Sequence, residues 1–233
     1  MNLFYQPLIG DGVRYLEPEE SKHAIRVMRG HTGDLIHVTD GKGTLYEARI
    51  LSEDQSHCPF EVVRVQRTPD PGYPVHVAIS PLARPDRLEW FVEKAVELGV
   101  NRISLIRCER TEKRQVKLER LQKVAVGAMK QSQRFTLPNI GGPISFDVFA
   151  SECQANQKFI AFVDTSNPLH LFAEAKRGFS YAVCIGPEGD FTAAELKQAI
   201  DNGFIKVSLG AYRLRTETAG LAACHMLNLV NVR

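Results

Sequence analysis

The stretch Thr68-Pro69-Asp70-Pro71-Gly72-Tyr73-Pro74 carries three prolines and one glycine in seven residues. Proline removes a backbone donor and fixes φ, so neither a helix nor a central strand runs through this stretch. It divides a chain of 233 residues, long enough for two modest domains, into two differently patterned parts. The expected organisation is a first domain over 1–70 and a second over 74–233.

The first part reads as β-rich. Leu35–Thr39 and Leu45–Leu51 flank Asp40-Gly41-Lys42-Gly43, a strong hairpin signal, and Phe60, Val62 and Val65 alternate with polar residues as in a further strand. A short helix is expected between Glu17 and Gly30, beginning after Pro18 and stopping at the glycine. His23, Arg26 and Arg29 recur at spacings of three and would share one side of it. An ordinary solvated helix face has the same pattern.

After the proline-rich stretch, strands and helices alternate. Val75–Ile79 and Arg102–Ile106 read as strands. Between them Leu88, Phe91, Val92, Ala95 and Val96 mark one face of a helix over Asp86–Leu98, with Gly99 as its stop. This β-α-β unit predicts a parallel pair with a right-handed crossover. Lys117–Gln131 is a second amphipathic helix. Lys158–Val163, Tyr181–Ile185 and Ile205–Leu209 bring the expected strands to about five, and Ala219–Val230 is a strongly apolar final helix. Such a helix is buried either in the core or against another subunit. The class is α/β.

The net charge of +2 is unevenly spread. Residues 1–70 hold 8 basic and 11 acidic side chains, residues 71–140 hold 13 and 7, and residues 141–233 hold 8 and 9. The excess is concentrated between Arg102 and Arg134, where ten Lys or Arg face three Glu. That segment reads equally as a phosphate-backbone footprint or as a solvated helix face. The five cysteines include no C-x-x-C pair, which argues against a disulfide framework or zinc site and fits thiols in a reducing cytoplasm. The seven histidines form no ligand-like pair, so no metal is expected. The N-terminus does not read as a signal peptide, and no apolar run has the length of a membrane span.

Two strand-to-helix loops near the chain end mark the expected active site. Gly186-Pro187-Glu188-Gly189-Asp190-Phe191-Thr192 follows Tyr181–Ile185, and Thr192 with Glu195 has capping-box spacing. Glycines there let the backbone approach a ligand, and the next helix N-terminus offers free N–H groups. The second loop runs from Leu209-Gly210 through Arg215-Thr216-Glu217-Thr218, which reads equally as a ligand wall or a simple helix cap. In open α/β sheets, ligands bind outside the carboxyl ends of strands. The absence of G-x-G-x-x-G, P-loop, H-E-x-x-H and G-x-S-x-G patterns excludes the commonest nucleotide, protease and hydrolase classes.

Gly186-Pro187-Glu188-Gly189, Leu209-Gly210 and Leu214-Arg215-Thr216-Glu217-Thr218-Ala219 resemble the paired C-terminal motifs of the RsmE family, the ribosomal RNA small-subunit methyltransferases E of the SPOUT superfamily. The likeness continues in Arg87-Leu88-Glu89-Trp90, Glu93 to Val100, Gln131-Ser132-Gln133-Arg134 with Leu137-Pro138, and His23 to Arg29 with Gly33-Asp34 and Asp40-Gly41. The resemblance implies a PUA-like RNA-binding β-barrel, a SPOUT-type parallel sheet with a trefoil knot, a homodimer, and methyl transfer from S-adenosylmethionine to N3 of a uridine in 16S rRNA of the small ribosomal subunit. It implies cofactor binding by Gly186, Pro187, Glu188, Gly189, Leu209, Gly210, Leu214, Arg215, Thr218 and Ala219. Two places depart from the family pattern: Asp190 stands where another glycine is usual, and Pro81-Leu82-Ala83-Arg84 lacks the usual lysine-containing turn.

Attack by uridine N3 requires loss or strong polarisation of its proton. Arg215 is the candidate for stabilising negative charge on the base, and Glu217 or Glu188 for accepting the proton. Arginine stabilisation is favoured, since an exposed Glu is a weak base unless its pKa is raised. His23, Arg26, Arg29, Lys130 and Arg134 are the candidates for contacts to RNA. The competing readings are a non-catalytic RNA-binding protein and a SPOUT methylase acting on another RNA.

Overall fold

Tyr181–Ile185 is buried at every position, as a strand covered on both faces must be. It lies inside a parallel sheet. The computed structural model describes residues 2–69, 71–112, 115–164 and 169–232. Asp70 of the proline-rich stretch and Lys113 and Arg114 of the basic segment lie outside the described residues. Contacts divide the chain into two compact units, Met1–Asp70 with Val126–Leu137, and Pro71–Ala125 with Pro138–Arg233.

In the first unit a four-stranded sheet has the order β1-β2-β3-β4, formed by Leu3–Tyr5, Leu35–Thr39, Thr44–Ile50 and Phe60–Arg67. The hairpin between β2 and β3 forms where expected. Asp40 Oδ1 accepts from Lys42 N at 2.7 Å and Thr44 N at 3.1 Å, while Gly41 adopts φ +71°. Phe4, Ile9, Leu16, Val38, Ala48, Ile50 and Phe60 fill its core. Segment 126–137 joins this unit through backbone bonds from Gly43 N to Phe135 O at 2.9 Å and from Leu137 N to Gly41 O at 2.8 Å.

The helix expected over Glu17–Gly30 is not continuous. α1 (Pro18–Lys22) passes into a π-helical turn, His23–Val27, and Arg29 adopts φ +55°. The wider turn and the left-handed residue take Arg29 off the shared helix side that a spacing of three predicts.

The second unit is built on a six-stranded sheet in the order β10-β8-β9-β5-β6-β7. The strands are β5 (Val75–Ile79), β6 (Arg102–Arg107), β7 (Asn139–Ser145), β8 (Gln157–Ala161), β9 (Tyr181–Ile185) and β10 (Ile205–Val207). Every pairing in it is parallel. The β5-α2-β6 unit is as expected, with α2 at Pro85–Glu97. The sequence expectation omitted β7, and β10 ends two residues earlier than expected. The remaining helices are α3 (Leu118–Gln131), α4 (Phe146–Glu152), α5 (Leu171–Glu174), α6 (Ala193–Asp201) and α7 (Thr216–Val232).

α7 packs against α2, α5, β5 and β9, so its apolar face belongs at least partly to this unit's own core. At its crossing with α2, Gly220 lies so close that a Cβ would stand 2.6 Å from the buried Phe91 ring. Among the described residues no helix is long and apolar enough to cross a membrane. The five cysteines are free thiols.

Candidate active site

Because the sheet is parallel, the carboxyl ends of β5, β8, β9 and β10 open on the same edge. Their following loops enclose a cavity of about 1080 Å³. Its wall includes Phe162 and Val163 after β8, Ile185 to Glu188 and Asp190 after β9, Ser208 to Thr216 after β10, and Ala219 of α7. Arg84 and Arg87 contribute from the start of α2, and His170 and Asp164 complete much of the rim.

Hydrogen bonds hold the β9 loop in one shape. Thr192 and Glu195 form the expected reciprocal capping box at the start of α6. Glu195 Oε1 also accepts from Glu109 N at 2.8 Å, tying this cap to the end of β6. Asp190 N donates to Pro187 O at 2.9 Å, and Asp190 itself adopts φ +61°. A side chain at Gly186 would bring a Cβ to 3.1 Å from Phe191 and 3.3 Å from Asp190 Oδ1, so those side chains would have to shift to admit one.

The two loops are bonded to each other. Thr216 Oγ1 donates to Gly186 O at 3.1 Å, and the Arg213 guanidinium donates to Glu188 O at 2.9 Å. Thr216 is buried. Its hydroxyl therefore joins the loops instead of serving as the simple helix cap that its position suggested. Arg110 donates to Gly189 O at 2.6 Å.

Of the sequence candidates, Gly186, Pro187, Glu188, Leu209, Gly210, Leu214, Arg215 and Ala219 all line the cavity. Gly189, Glu217 and Thr218 do not stand on this wall. Glu217 is buried, 6% exposed, and its Oε1 lies 3.8 Å from Arg87 Nη1. Sequence reading missed Thr216, Arg87, His170 and Tyr212; Tyr212, 88% exposed, sits in the Leu209–Arg215 segment. An aromatic directly before Arg213 and Arg215 is the available signal for it.

The proposed RNA contacts all fall in the first unit. Arg26 and Arg29 are exposed, and Arg134 is half-buried. His23 stacks edge-on against Phe4 with ring centroids 5.8 Å apart, and among the described residues its buried Nδ1 has no hydrogen-bond partner. Lys130 is ion-paired with Glu20 at 2.5 Å, both side chains mostly buried, which gives it a structural task.

The wall mixes arginines 84, 87, 213 and 215 with Asp164, Glu188 and Asp190. Asp164 pairs with Lys206 at 2.7 Å, and Arg84 with Asp86 at 2.8 Å. Burial drives the Cys108 and Cys184 thiols well above their usual range, so neither offers a thiolate nucleophile. A bulky, partly apolar molecule with a cationic centre fits this cavity. Ile185, Leu209 and Leu214 supply apolar surface, and Asp164, Glu188 and Asp190 supply negative charge. S-adenosylmethionine has that chemistry.

The fold agrees with that of known proteins. Residues 69–228 match the model of an RNA methyltransferase domain, and residues 16–62 that of an RNA methyltransferase PUA domain. Ribosomal RNA small subunit methyltransferase E of Bacillus subtilis is 30% identical over 88% of this chain and 85% of its own length. The crystal structure of a probable rRNA-methyltransferase from Porphyromonas gingivalis superposes with a TM-score of 0.94 at 36% identity, covering 100% of this chain and 99% of that one. Ribosomal RNA small subunit methyltransferase E from Neisseria gonorrhoeae, bound to S-adenosyl methionine, gives 0.87 at 28% identity, covering 99% and 98%.

Proposed function

This chain belongs to the ribosomal RNA small subunit methyltransferase E family, and from that premise we propose that it methylates N3 of a uridine in 16S rRNA of the small ribosomal subunit. The observation that carries this reading is the convergence of Gly186 to Glu188, Leu209-Gly210, Leu214-Arg215 and Ala219 on one cavity. S-adenosylmethionine supplies an electrophilic methyl group on a sulfonium, and the wall residues named above are the ones that would hold it.

The protein's own contribution is mainly positional. The Thr216–Gly186 and Arg213–Glu188 bonds tie the two loops to each other, which supports a site that holds the methyl donor and N3 in line. Arg215, exposed on the wall, is suited to stabilise negative charge on the uracil as its N3 proton leaves. Glu188, also on the wall, is the better-placed carboxylate for accepting that proton, because Glu217 stands behind it.

Arg26, Arg29 and Arg134 are the proposed phosphate contacts of the first unit. A homodimer is supported by apolar exposure on α2 and α7, where Trp90 is 45%, Leu229 40% and Val232 76% exposed.

Incubation with S-adenosylmethionine and small subunits from a strain lacking this methylation tests the reading, with digestion and mass mapping of nucleosides. The expected product is N3-methyluridine at one position. Absence of saturable S-adenosylmethionine binding would instead support a non-catalytic RNA-binding protein, and a methylated ribose or a different RNA would identify another methylase.

A further inference from the structure

Glu217 occupies the first turn of α7, where the helix dipole favours a carboxylate. Its side chain is only 7% exposed, and it does not reach the cavity. Among the described residues Oε2 has no hydrogen-bond partner, and Oε1 faces Arg87 Nη1 at 3.8 Å. A buried carboxylate left this incompletely paired needs an explanation.

The crossing of α2 and α7 supplies one. Arg87 and Phe91 are one turn apart on α2, and Glu217 and Gly220 are one turn apart on α7. Close approach of the Phe91 ring to Gly220 therefore brings Arg87 alongside Glu217. The same Arg87 Nη1 also lies 3.6 Å from Glu188 Oε1. Among the described residues, the Arg87 guanidinium donates no hydrogen bond to either carboxylate, yet it forms part of the cavity wall. Its planar fork of donors is held in place but not used up.

Resting on the proposed methyltransferase reading, we propose that Arg87 is an oxyanion-binding residue of the cavity and that Glu217 is its positioning residue, not the general base. Glu217 holds the guanidinium from behind, and a carboxylate or phosphate oxygen of a ligand takes its free donors. The oxyanion is either the carboxylate of the methyl donor or a phosphate of the RNA.

Arg87→Ala, Arg87→Lys, Glu217→Gln and the Arg87→Ala/Glu217→Gln double variant separate the possibilities. Binding of S-adenosylmethionine and of its decarboxylated analogue is measured by calorimetry, and kcat and KM are measured on unmethylated small subunits. Thermal melts identify any variant that fails to fold; Arg87→Lys and Glu217→Gln retain the size of the original side chains. The expected result is a weakening of about tenfold or more in Arg87→Ala and a smaller one in Glu217→Gln, in binding or KM and not in kcat alone. The Glu217→Gln effect should vanish in the Arg87→Ala background. Loss confined to S-adenosylmethionine, with the decarboxylated analogue unaffected, identifies the donor's carboxylate. Loss confined to KM for the subunits identifies a phosphate.

Independent effects in the double variant, a fall in kcat alone in Glu217→Gln, or wild-type behaviour in both single variants would each overturn the assignment. Wild-type protein that neither binds S-adenosylmethionine nor methylates RNA would instead overturn the underlying methyltransferase reading.

Discussion

Asp190 Oδ2 accepts a hydrogen bond from Val163 N at 3.1 Å, so the residue that departs from the family's glycine ties the loop after β9 to the chain leaving β8. Its other oxygen accepts from Phe191 N at 2.8 Å. The backbone at φ +61° explains why glycine suits the position, and aspartate is among the few other residues that tolerate it. Asp190→Ala keeps the unfavourable φ and loses both bonds, and should destabilise the protein by about 1–2 kcal/mol. Asp190→Gly loses the same bonds but relaxes the backbone, so it should melt higher than the alanine variant. Equal melting temperatures of the two variants would show that the left-handed backbone at position 190 costs nothing measurable, and a glycine variant as stable as the wild type would show the same of the side-chain bonds.

Arg215 lines the cavity at the residue preceding α7, and its carbonyl accepts from Ala219 N at 2.7 Å through the backbone alone. Removing its guanidinium therefore leaves the helix start intact. Arg215→Ala should retain the wild-type melting temperature within about 0.5 kcal/mol of stability and lose about a hundredfold or more in kcat. The measurement is turnover on reconstituted small subunits, and near-wild-type turnover would remove Arg215 from the mechanism.

Local signals in the sequence were read correctly where the physics is local. The Asp40–Gly43 hairpin, the amphipathic face of α2 and the Thr192–Glu195 capping box all depend on neighbours within a few residues. β7 was missed because Asn-Ile-Gly-Gly-Pro-Ile-Ser reads as a turn; as the edge strand of the sheet it can accommodate Pro143. The insertion of β9 between β8 and β5 is a long-range choice that hydrophobic periodicity does not encode. The same holds for individual side chains. Lys130 looked like a free cation on a basic helix, but Glu20, 110 residues away, pairs with it. Glu217 looked like a site residue beside Arg215, but the α2–α7 crossing buries it.

That crossing makes a prediction of its own. A methyl group at position 220 would stand 2.6 Å from Phe91 Cε2 and 3.1 Å from Ile79 Cδ1, in a place where both neighbours are completely buried. Alanine is the better helix former, so propensity alone would stabilise the variant. Overpacking should win. Gly220→Ala should lose about 1–3 kcal/mol in urea unfolding, and should weaken activity with it by displacing Arg87 from Glu217.

Charge reversal separates the basic residues of the first unit. Arg26→Glu and Arg29→Glu alter exposed side chains and should weaken RNA binding, with a shallower salt dependence and little change in melting temperature. Lys130→Met leaves Glu20 mostly buried without its cation, with Tyr5 N still donating to Oε2 at 3.2 Å. It should destabilise the protein by about 3 kcal/mol. Filter binding across a salt series, paired with melts, makes the comparison. A Lys130→Met protein that is fully stable and defective only in RNA binding would return Lys130 to the phosphate contacts.

His76 gives the stability of the second unit a pH dependence below neutrality. Its ring accepts or donates one hydrogen bond with Ser104 Oγ at 2.8 Å and lies edge-on to Phe149, with centroids 5.3 Å apart. Burial, assisted by the nearby Arg102 charge, lowers its pKa from 6.5 to about 4. Between those two values the unfolded chain binds a proton that the folded protein refuses, so stability falls as pH drops through this window and is fully present above 6.5. The contribution amounts to up to about 3 kcal/mol. His76→Gln keeps a polar partner for Ser104 but cannot take up the proton. The difference in unfolding free energy between variant and wild type should therefore shift in favour of the variant as pH falls from 7 to 4.5. Parallel urea titrations at the two pH values measure it, and a difference that stays constant with pH would mean that His76 does not resist protonation.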